Sequence, residues 1–229
     1  MTQKPLVIIL HGIFRTAWSM KLYELYLRAL GFDVLNLTYP SLRHDLMKLS
    51  VITSEKIRRS KKISEPRPIH FVTHSMGGLI VRYILSTQPD LHARTEKIVM
   101  LVPPNKGSEV ADFVQQTGWM RPLYRFFYGP AGQQLTTDHA GHHPQITGTI
   151  GIIAGGRNAN PFAHYAFEPG QKHDGTIGHD NMKLDGLTDF AEVRASHASI
   201  LCSPSALRLV GRFLKTGRFT VQPTPPEAL

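Results

Sequence analysis

Short apolar runs of strand length alternate with helical patterns along almost the whole chain. The runs are bounded by turn-forming residues and are mostly rich in β-branched side chains, as buried strands are. Because strands that are apolar at nearly every position are covered on both faces, the alternation predicts a doubly wound α/β domain with a mainly parallel sheet of about six strands. The predicted strands are Leu6–Leu10, Asp33–Tyr39, Ile69–Thr73, Lys97–Val102, Gly148–Ala154 and Phe190–Arg194.

Helical patterns lie between these strands. For the first helix we predict Thr16 as the N-cap and Gly31 as the stop. For the last helix we predict Ser203 as the cap, Pro204 in the first turn and Gly217 at the end. Each helix is predicted from its apolar residues. These are Trp18, Leu22, Leu25 and Ala29 in the first helix, Leu42, Leu46, Leu49 and Ile52 in the second, Gly77–Leu85 in a buried third, and Leu207, Val210, Phe213 and Leu214 in the last.

Chain length and composition fit one domain. With 229 residues, 41% of them hydrophobic, we expect a single domain over residues 1–220 and a flexible tail over 221–229. The single cysteine, Cys202, excludes an intrachain disulfide and a cysteine-built metal site. No apolar stretch reaches the roughly 20 residues that cross a bilayer. We also expect no signal peptide, so a cytoplasmic location is the default, with peripheral membrane contact left open.

The formal net charge is +9, and the densest basic run is Lys56–Arg67. The run follows a helical pattern and precedes a proline-bounded loop, so we interpret it as a solvated helix end whose cations suit the helix dipole. Neither a recognition motif nor interleaved aromatic residues accompany it, and we therefore expect no nucleic-acid binding. Weak attraction to an anionic membrane surface stays open.

One segment, residues 112–146, interrupts the alternation and is called the aromatic insertion below. A cluster of aromatic residues in it precedes a stretch rich in Gly, His and Pro. Because loops at strand ends carry the site in such sheets, we predict a small cap over the mouth of a pocket. Ordinary packing on the sheet is the alternative. The aromatic cluster comprises Trp119, Tyr124, Phe126, Phe127 and Tyr128.

A serine follows the third predicted strand directly. In the sequence THSMGG, Ser75 stands between an apolar strand and a buried helix, the context in which a sharp turn exposes a nucleophilic hydroxyl. Gly77 supplies the small residue that such a turn needs on the helix side. Thr73 stands where the G-x-S-x-G pattern has glycine, and it fits if its side chain points away from the crossing of strand and helix. The sequence therefore predicts Ser75 as a nucleophile.

A His-Gly turn follows the first predicted strand. It allows the backbone N–H of Ile13 to point into the site, where together with the N–H of Met76 it would form an oxyanion hole. Taken by itself, His-Gly after a strand is more typical of a plain turn. Around this site, the residues expected to contact a substrate are His11, Phe14, Arg15, His74 and Trp119, of which Arg15 brings a cation to the mouth.

A nucleophilic serine needs a base and a carboxylate that orients the base. In hydrolases with this kind of turn, the order along the chain is serine, acid, histidine. His197 is the histidine that follows the last predicted strand. Asp174 is the favoured acid because Gly175 permits the tight turn that would present its carboxylate. Asp180 and Asp185 compete for the role.

Together these motifs resemble those of the serine α/β-hydrolases, closest in style to small bacterial lipases and esterases. The similarity extends over nearly the whole chain. It includes residues 103–108, which resemble a stretch in lipase-like members, among them relatives of the GPI inositol-deacylases. In that stretch we expect Asn105 and Ser108 to cap the next helix, with lining of the acyl site as the alternative. The departures from the family pattern are Thr73 and the pair Phe14-Arg15.

The resemblance implies an α/β-hydrolase fold and an esterase- or lipase-like enzyme that forms an acyl-enzyme on Ser75. His197 would take the serine proton and Asp174 would hold the imidazole. The implied substrate is a small acyl ester or a lipid, and no metal or organic cofactor is required. Thioester hydrolysis or acyl transfer would use the same residues, and a catalytically silent membrane- or nucleic-acid-binding module is the alternative from another class.

One further cluster contains metal-ligand residue types. Residues 138–143, with the sequence DHAGHH, combine an aspartate with three histidines at close spacing, as a zinc site would. The neighbouring Gly and Pro residues favour a polar loop, and no fourth ligand is evident. We therefore predict no metal site.

Overall fold

The computed structural model of the protein describes residues 4–64, 66–161 and 163–220. Within them, the predicted mainly parallel sheet is confirmed as a six-stranded sheet whose neighbouring strands are all parallel, in the order β2-β1-β3-β4-β5-β6. The predicted tail, residues 221–229, lies outside the described residues. The strands are β1 (Leu6–Leu10), β2 (Asp33–Leu37), β3 (Ile69–His74), β4 (Thr95–Leu101), β5 (Thr149–Gly155) and β6 (Asp189–Val193).

Helices connect the strands and cover the sheet. The connection from β1 to β2 runs toward one edge of the sheet, and the connection from β3 to β4 runs toward the other edge. Because crossovers between parallel strands are right-handed, the helices in these two connections cover opposite faces of the sheet. The helices are α1 (Lys21–Ala29), α2 (Leu46–Arg59), α3 (Met76–Thr87), α4 (Pro89–Arg94), α5 (Glu109–Gln116), α6 (Arg121–Gln133), α7 (Ala163–Ala166), α8 (His179–Met182) and α9 (Pro204–Thr216). Short 3₁₀ helices lie at Ala17–Met20, Lys61–Ile63, Thr137–His142 and Ser199–Cys202.

The centre of the sheet is its most apolar part. All residues of β1 and β3 are buried, and so is α3 from Met76 to Leu85. Each fully buried Leu, Ile or Phe side chain contributes roughly 1.5–3 kcal/mol relative to an exposed one. These strands therefore form a rigid platform for whatever follows their carboxyl ends.

The strand order reverses direction at β1, which has β2 on one side and β3 on the other. In open parallel sheets, a crevice forms at such a reversal, outside the carboxyl ends of the two strands. The His-Gly turn follows β1, and Ser75 follows β3. The topology thus brings both sequence motifs to the same crevice.

The buried face of the first helix differs from the prediction. Trp18, Leu22 and Leu25 are exposed, and the buried residues of α1 are Tyr23 and Leu27. The chain enters α1 through the 3₁₀ turn Ala17–Met20, which has three residues per turn instead of 3.6. This turn changes the phase of the helix, so the spacing counted from Trp18 selected the wrong face.

Helix ends follow the sequence signals in most places. Thr16 precedes the first 3₁₀ turn but its side chain makes no cap hydrogen bond there, contrary to the prediction. Ser203 caps α9 by accepting a hydrogen bond from the backbone N–H of Ala206, and Gly217 ends the helix with a left-handed backbone, as predicted. In the second helix, Leu42 was predicted as an apolar position, but the helix begins at Leu46, where the side chain of Asp45 caps it.

The basic run ends α2, as the sequence indicates, and several of its cations have acidic partners. Arg58 binds Asp90 at 2.7 Å, while Lys62 and Arg67 both bind Asp33. Burial alone would raise the pKa of Asp33, but the two cations hold it below its usual value. Much of this positive charge therefore stabilises the fold.

The aromatic insertion is largely helical, since α6 and the 3₁₀ helix Thr137–His142 lie within it together with most of α5. Gly129 breaks α6 with a φ of 63°, and Pro130 follows it. A Cβ atom at Gly129 would lie 2.0 Å from the carbonyl oxygen of Leu42, so only glycine fits this contact. No helix in the described ranges is long and apolar enough to cross a bilayer.

Candidate active site

Ser75 lies on a sharp turn between β3 and α3. Its backbone adopts φ 52° and ψ −125°, a region that costs a non-glycine residue on the order of 1–3 kcal/mol. The backbone N–H of Ser75 donates to the carbonyl oxygen of Leu101 at 2.9 Å, which fixes the turn. A Cβ atom at Gly77 would lie 2.7 Å from the carbonyl oxygen of Leu10, so α3 can cross the end of β1 only because residue 77 is glycine.

Thr73 occupies the position where the sequence pattern has glycine. Its side chain is fully buried, and its hydroxyl lies 3.5 Å from where a Cβ atom of Gly78 would be. The bare backbone at Gly78 therefore leaves room for the threonine. The departure from the pattern is compatible with the turn.

Ser75, His197 and Asp174 are joined by hydrogen bonds. The Oγ of Ser75 is 3.0 Å from Nε2 of His197, and Nδ1 of His197 is 2.6 Å from Oδ2 of Asp174. The other carboxylate oxygen accepts hydrogen bonds from the backbone N–H groups of Thr176 and Ile177, both at 2.8 Å. The Asp174 carboxylate is thus fixed from both sides, and it favours the tautomer in which Nε2 can accept a proton from the serine.

The loop that carries Asp174 makes it the acid at His197. Gly175 has a φ of 93°, as the predicted tight turn requires, and the N–H of His197 donates to the carbonyl oxygen of Asp174 at 3.0 Å. Asp180 has a side chain that is 91% exposed and binds Lys183. Asp185 is also exposed. Of the three candidate acids, only Asp174 contacts the histidine.

His74 holds the loop that carries His197 through a hydrogen bond. Its Nε2 donates to the carbonyl oxygen of His197 at 3.0 Å. Burial, and next the nearby charge of His197, holds the pKa of His74 well below its ordinary value, so the ring is neutral. His74 was predicted to contact the substrate; it does line the cavity floor, but its hydrogen bond is to the backbone of His197.

His11, the first residue of the His-Gly turn, does not line the cavity where a substrate contact was predicted. Its ring is fully buried and stacks on Tyr39 at 4.1 Å between centroids. Nδ1 is 2.8 Å from the carbonyl oxygen of Gly12, and Nε2 accepts from the backbone N–H of Tyr39. Burial lowers the pKa of His11 to about 4, so the ring is neutral and Nδ1–H is the donor to Gly12.

This bond sets the orientation of the peptide between Gly12 and Ile13. In a trans peptide, the C=O and N–H groups point in opposite directions, so holding the Gly12 oxygen on His11 turns the Ile13 N–H to the other side. In the described part of the chain, that N–H has no acceptor. Met76 is the first residue of α3, and its N–H therefore has no partner inside the helix.

The two N–H groups lie close to the serine. A Cβ atom at Gly12 would be 3.1 Å from the Cβ of Ser75, which shows that the turn packs against this serine. Ile13 itself lines the cavity that contains Ser75. The arrangement can bind a negative charge that develops on an oxygen beside Ser75.

The cavity above Ser75 has a volume of about 410 Å³. Apolar residues of α5 and of the aromatic insertion form much of its wall, including Val114, Tyr124 and Tyr128. Tyr128 stacks on Tyr124 and meets the edge of Phe14 at 4.7 Å between centroids. Phe14 and Arg15 both line the cavity, as the sequence indicates.

Comparison with known proteins identifies the fold. No protein-family model matches the sequence. Among solved structures, the chain is similar to the mature lipase BlEst2 of Bacillus licheniformis, with a TM-score of 0.73 and 16% identity over 95% of this chain and 94% of that one. It is also similar to an extracellular α/β-hydrolase of a Paenibacillus species, with a TM-score of 0.54 and 17% identity over 94% and 99%. The chain has the α/β-hydrolase fold.

A third relative in structure is longer. Lipase B of Aspergillus fumigatus matches with a TM-score of 0.63 and 17% identity over 93% of this chain, which spans 52% of that lipase. The shared part is the hydrolase fold.

Trp119 lies outside the cavity that contains Ser75. It lines a neighbouring groove of about 380 Å³ with Phe113 and Tyr165, which are stacked on one another. Val110 and Val114 line both the groove and the cavity, so the two spaces are adjacent. The predicted contact of Trp119 with a substrate therefore requires a ligand that extends beyond the cavity.

A buried arginine that the sequence did not single out braces the loop after β4. Arg82, on α3, donates to both the backbone and side-chain oxygens of Asn105 at 3.0 and 3.1 Å. Asn105 in turn donates to the carbonyl oxygen of Met182. Asn105 is thus a brace and not the helix cap that the sequence predicted, whereas Ser108 does cap α5 and also binds the backbone of Thr176.

Two of the three histidines of residues 138–143 have separate hydrogen-bond partners. His139 binds the hydroxyl of Thr136, and His143 is buried near the hydroxyl of Tyr83. In the ranges that the structure describes, no group of three or more His, Cys, Asp or Glu side chains is placed to hold a metal ion.

Proposed function

We propose that the protein hydrolyses carboxylic acyl esters through an acyl-enzyme on Ser75. The observation that carries the proposal is the hydrogen-bonded line from Ser75 through His197 to Asp174, beside the N–H groups of Ile13 and Met76. A base within 3.0 Å of a serine hydroxyl, itself oriented by a carboxylate, is the arrangement that activates such a nucleophile.

The reaction begins when Ser75 attacks the acyl carbonyl and His197 takes the serine proton. The imidazolium that forms is stabilised by Asp174, and the negative charge on the carbonyl oxygen is bound by the N–H groups of Ile13 and Met76. His197 then gives its proton to the leaving alcohol. Water, activated by the same histidine, releases the acid and restores the serine.

The buried histidines of the site keep these groups in place. His11 orients the peptide that carries the Ile13 N–H, and His74 holds the backbone of His197. Both are neutral because burial lowers their pKa. They are positioning residues, since neither needs to touch the reacting atoms.

The walls of the cavity favour an apolar acyl group. Val114, Tyr124 and Tyr128 surround the space above Ser75, and the groove at Trp119 extends the apolar surface. Burial of each methylene of an acyl chain contributes about 0.8 kcal/mol. Activity should therefore rise with chain length until the cavity and groove are filled, with the aromatic insertion acting as a cap over the mouth.

Labelling with a fluorophosphonate tests the proposal. Intact mass and peptide mapping should show one adduct at Ser75 in the wild-type protein and none in His197→Ala, while the exposed-site control His142→Ala is labelled like wild type. A series of p-nitrophenyl esters of increasing chain length then gives the acyl preference. A folded wild-type protein that is not labelled and cleaves none of these esters would contradict the proposal and favour a silent binding module.

A further inference from the structure

Arg15 is the one residue with a permanent charge among those that line the Ser75 cavity. It is partly buried, and it has no hydrogen-bond or ion-pair partner within residues 4–64, 66–161 and 163–220. No carboxylate is among the residues that line the cavity with it. An arginine in such a place keeps all five of its N–H donors free for a ligand.

Other cations of the chain are placed differently. Arg58, Lys62 and Arg67 each bind a carboxylate, and the partly buried pair Arg67 and Asp33 shows how this fold satisfies a guanidinium. Arg15 is surrounded instead by apolar and neutral groups of the cavity. None of the described residues that line the cavity therefore supplies a negative charge to balance that of Arg15.

The position of Arg15 also acts on the chemistry. Its charge reaches the residues around Ser75, because it adds to the larger effect of burial in lowering the pKa of His11 and of His74. When His197 becomes an imidazolium during attack, Arg15 repels it, since both are positive. A negative group bound at Arg15 would remove this repulsion.

We propose that the esters cleaved at Ser75 carry an anionic group, a phosphate or a carboxylate, which binds Arg15. The inference rests on the proposed ester hydrolysis and adds its substrate class. A guanidinium binds both kinds of anion through two parallel N–H bonds, and such charge-assisted bonds are stronger in apolar surroundings. The apolar part of the substrate then occupies the cavity wall formed by Val114, Tyr124 and Tyr128.

Matched ester pairs test this specificity. One pair is p-nitrophenyl butyrate and its ring-carboxylated analogue, and the other is p-nitrophenyl hexanoate and the p-nitrophenyl monoester of adipic acid. The wild-type protein should prefer the anionic member of at least one pair. In Arg15→Gln, kcat/KM should fall about tenfold further for that member than for its neutral partner, because only the anionic ester loses a hydrogen bond between two charged groups.

The controls separate a local contact from net charge. Arg59→Gln removes the same charge from an arginine that is 81% exposed and paired with Glu55 on α2, and it should keep the wild-type ratio between the two esters. Arg15→Lys should retain part of the preference. Equal losses on both members of each pair would overturn the proposal and would mean that Arg15 acts on the oxyanion that all esters share.

A separate arm of the same experiment identifies whether the anionic group belongs to a lipid or to a water-soluble ester. Fatty-acid release from mixed micelles of phosphatidylglycerol, compared with phosphatidylcholine of the same chains, measures preference for an anionic lipid headgroup. If Arg15→Gln removes a preference for phosphatidylglycerol, the source is a lipid. If it removes only the preference for the water-soluble anionic esters, the source is a soluble metabolite class.

A binding measurement keeps the inference independent of turnover. Calorimetry on Ser75→Ala should show tighter binding of the carboxylated ester than of its neutral partner, and the double variant Ser75→Ala, Arg15→Gln should lose the difference. Equal affinities in Ser75→Ala would overturn the inference. Absence of turnover and of Ser75 labelling in the wild type, with the binding difference retained, would instead refute ester hydrolysis and leave the anion site standing.

Discussion

The sheet side and the insertion side of the cavity differ in how their residues are held. On the sheet side, His74, Ser75 and Asp174 are buried, and each is held by hydrogen bonds that involve backbone groups. On the insertion side, Trp119 and Phe126 are exposed. In the proposed reaction, the reacting groups are thus buried and held by the backbone, whereas the surface that would meet the rest of the substrate is exposed.

This difference implies separate consequences of mutation. Changes on the sheet side should lower kcat because they disturb the geometry of the reacting groups. Changes on the insertion side should alter KM and the preference between substrates with little loss of stability, because exposed side chains lose few contacts when replaced. The following predictions are ordered from the largest expected effect to the smallest.

The largest effect is expected for Asp174→Asn. The amide cannot hold His197 in the tautomer that accepts the serine proton, and the same change in a serine protease lowers kcat about 10⁴-fold. Esterase activity should fall to a similar extent, with the fold retained by circular dichroism. Asp180→Asn, which changes an exposed residue on α8, should keep wild-type activity; comparable losses in both variants would refute the role of Asp174.

A smaller but still large effect is expected for Gly12→Ala. The added Cβ would lie 2.8 Å from Nδ1 of His74 and 3.1 Å from the Cβ of Ser75, so the His-Gly turn must shift. Loss of one oxyanion-hole donor lowers kcat about 10²–10³-fold. Gly118→Ala is the matched control in the aromatic insertion, because a Cβ there meets nothing within 4 Å. Equal activity of the two variants would contradict the predicted rigidity of the sheet side.

Acid should destabilise the sheet side through its buried histidines. Burial lowers the pKa of both His11 and His70 to about 4 in the folded protein. As pH falls from about 6.5 to 4, the unfolded chain takes up protons that the folded chain does not. The free energy of unfolding should therefore decrease, by at most about 1.4 kcal/mol per pH unit for each histidine.

Urea unfolding at several pH values measures this slope. His70→Leu should reduce the slope of the free energy of unfolding against pH, by up to the contribution of one histidine. His142→Asn, which changes an exposed ring of the aromatic insertion, should leave the slope as it is. A stability that does not change between pH 6.5 and 4 would show that these rings gain protons in the folded state.

The smallest effect is expected at the two tryptophans, which are exposed to nearly the same extent. Trp119 is 78% exposed and Trp18 is 79% exposed, but only Trp119 lines the groove next to the cavity. Trp119→Ala should raise KM for long-chain p-nitrophenyl esters a few-fold, in line with about 0.8 kcal/mol per buried methylene. Trp18→Ala should not, and both should change stability by less than about 0.5 kcal/mol. Identical KM values would show that acyl chains do not reach the groove.

The sequence predicted the sheet and the contacts of Ser75 well because both depend on local rules. Apolar runs mark buried strands, and parallel strands bring their carboxyl ends together whatever lies between them. Asp174 was favoured over Asp180 on account of Gly175, and the structure places Asp174 at His197. The catalytic role of these residues stays a prediction.

Other parts depend on contacts between distant segments, which one sequence does not reveal. The 3₁₀ entry to α1 rotated its buried face away from Leu22 and Leu25. His11 has the residue type of a substrate contact, but its hydrogen bonds are to the backbone of Gly12 and Tyr39. The brace at Arg82 joins segments far apart in the chain, and no local pattern marks it.

The fit of Thr73 beside Gly78 has a consequence for how genomes are searched. A nucleophile signature that demands glycine two positions before the serine passes over this chain, although the turn is built all the same. A pattern that accepts Ala, Ser or Thr there when two glycines follow the residue after the serine would recover it. Reading frames with T-H-S-x-G-G between an apolar strand and an apolar helix are thus worth screening for the proposed ester hydrolysis.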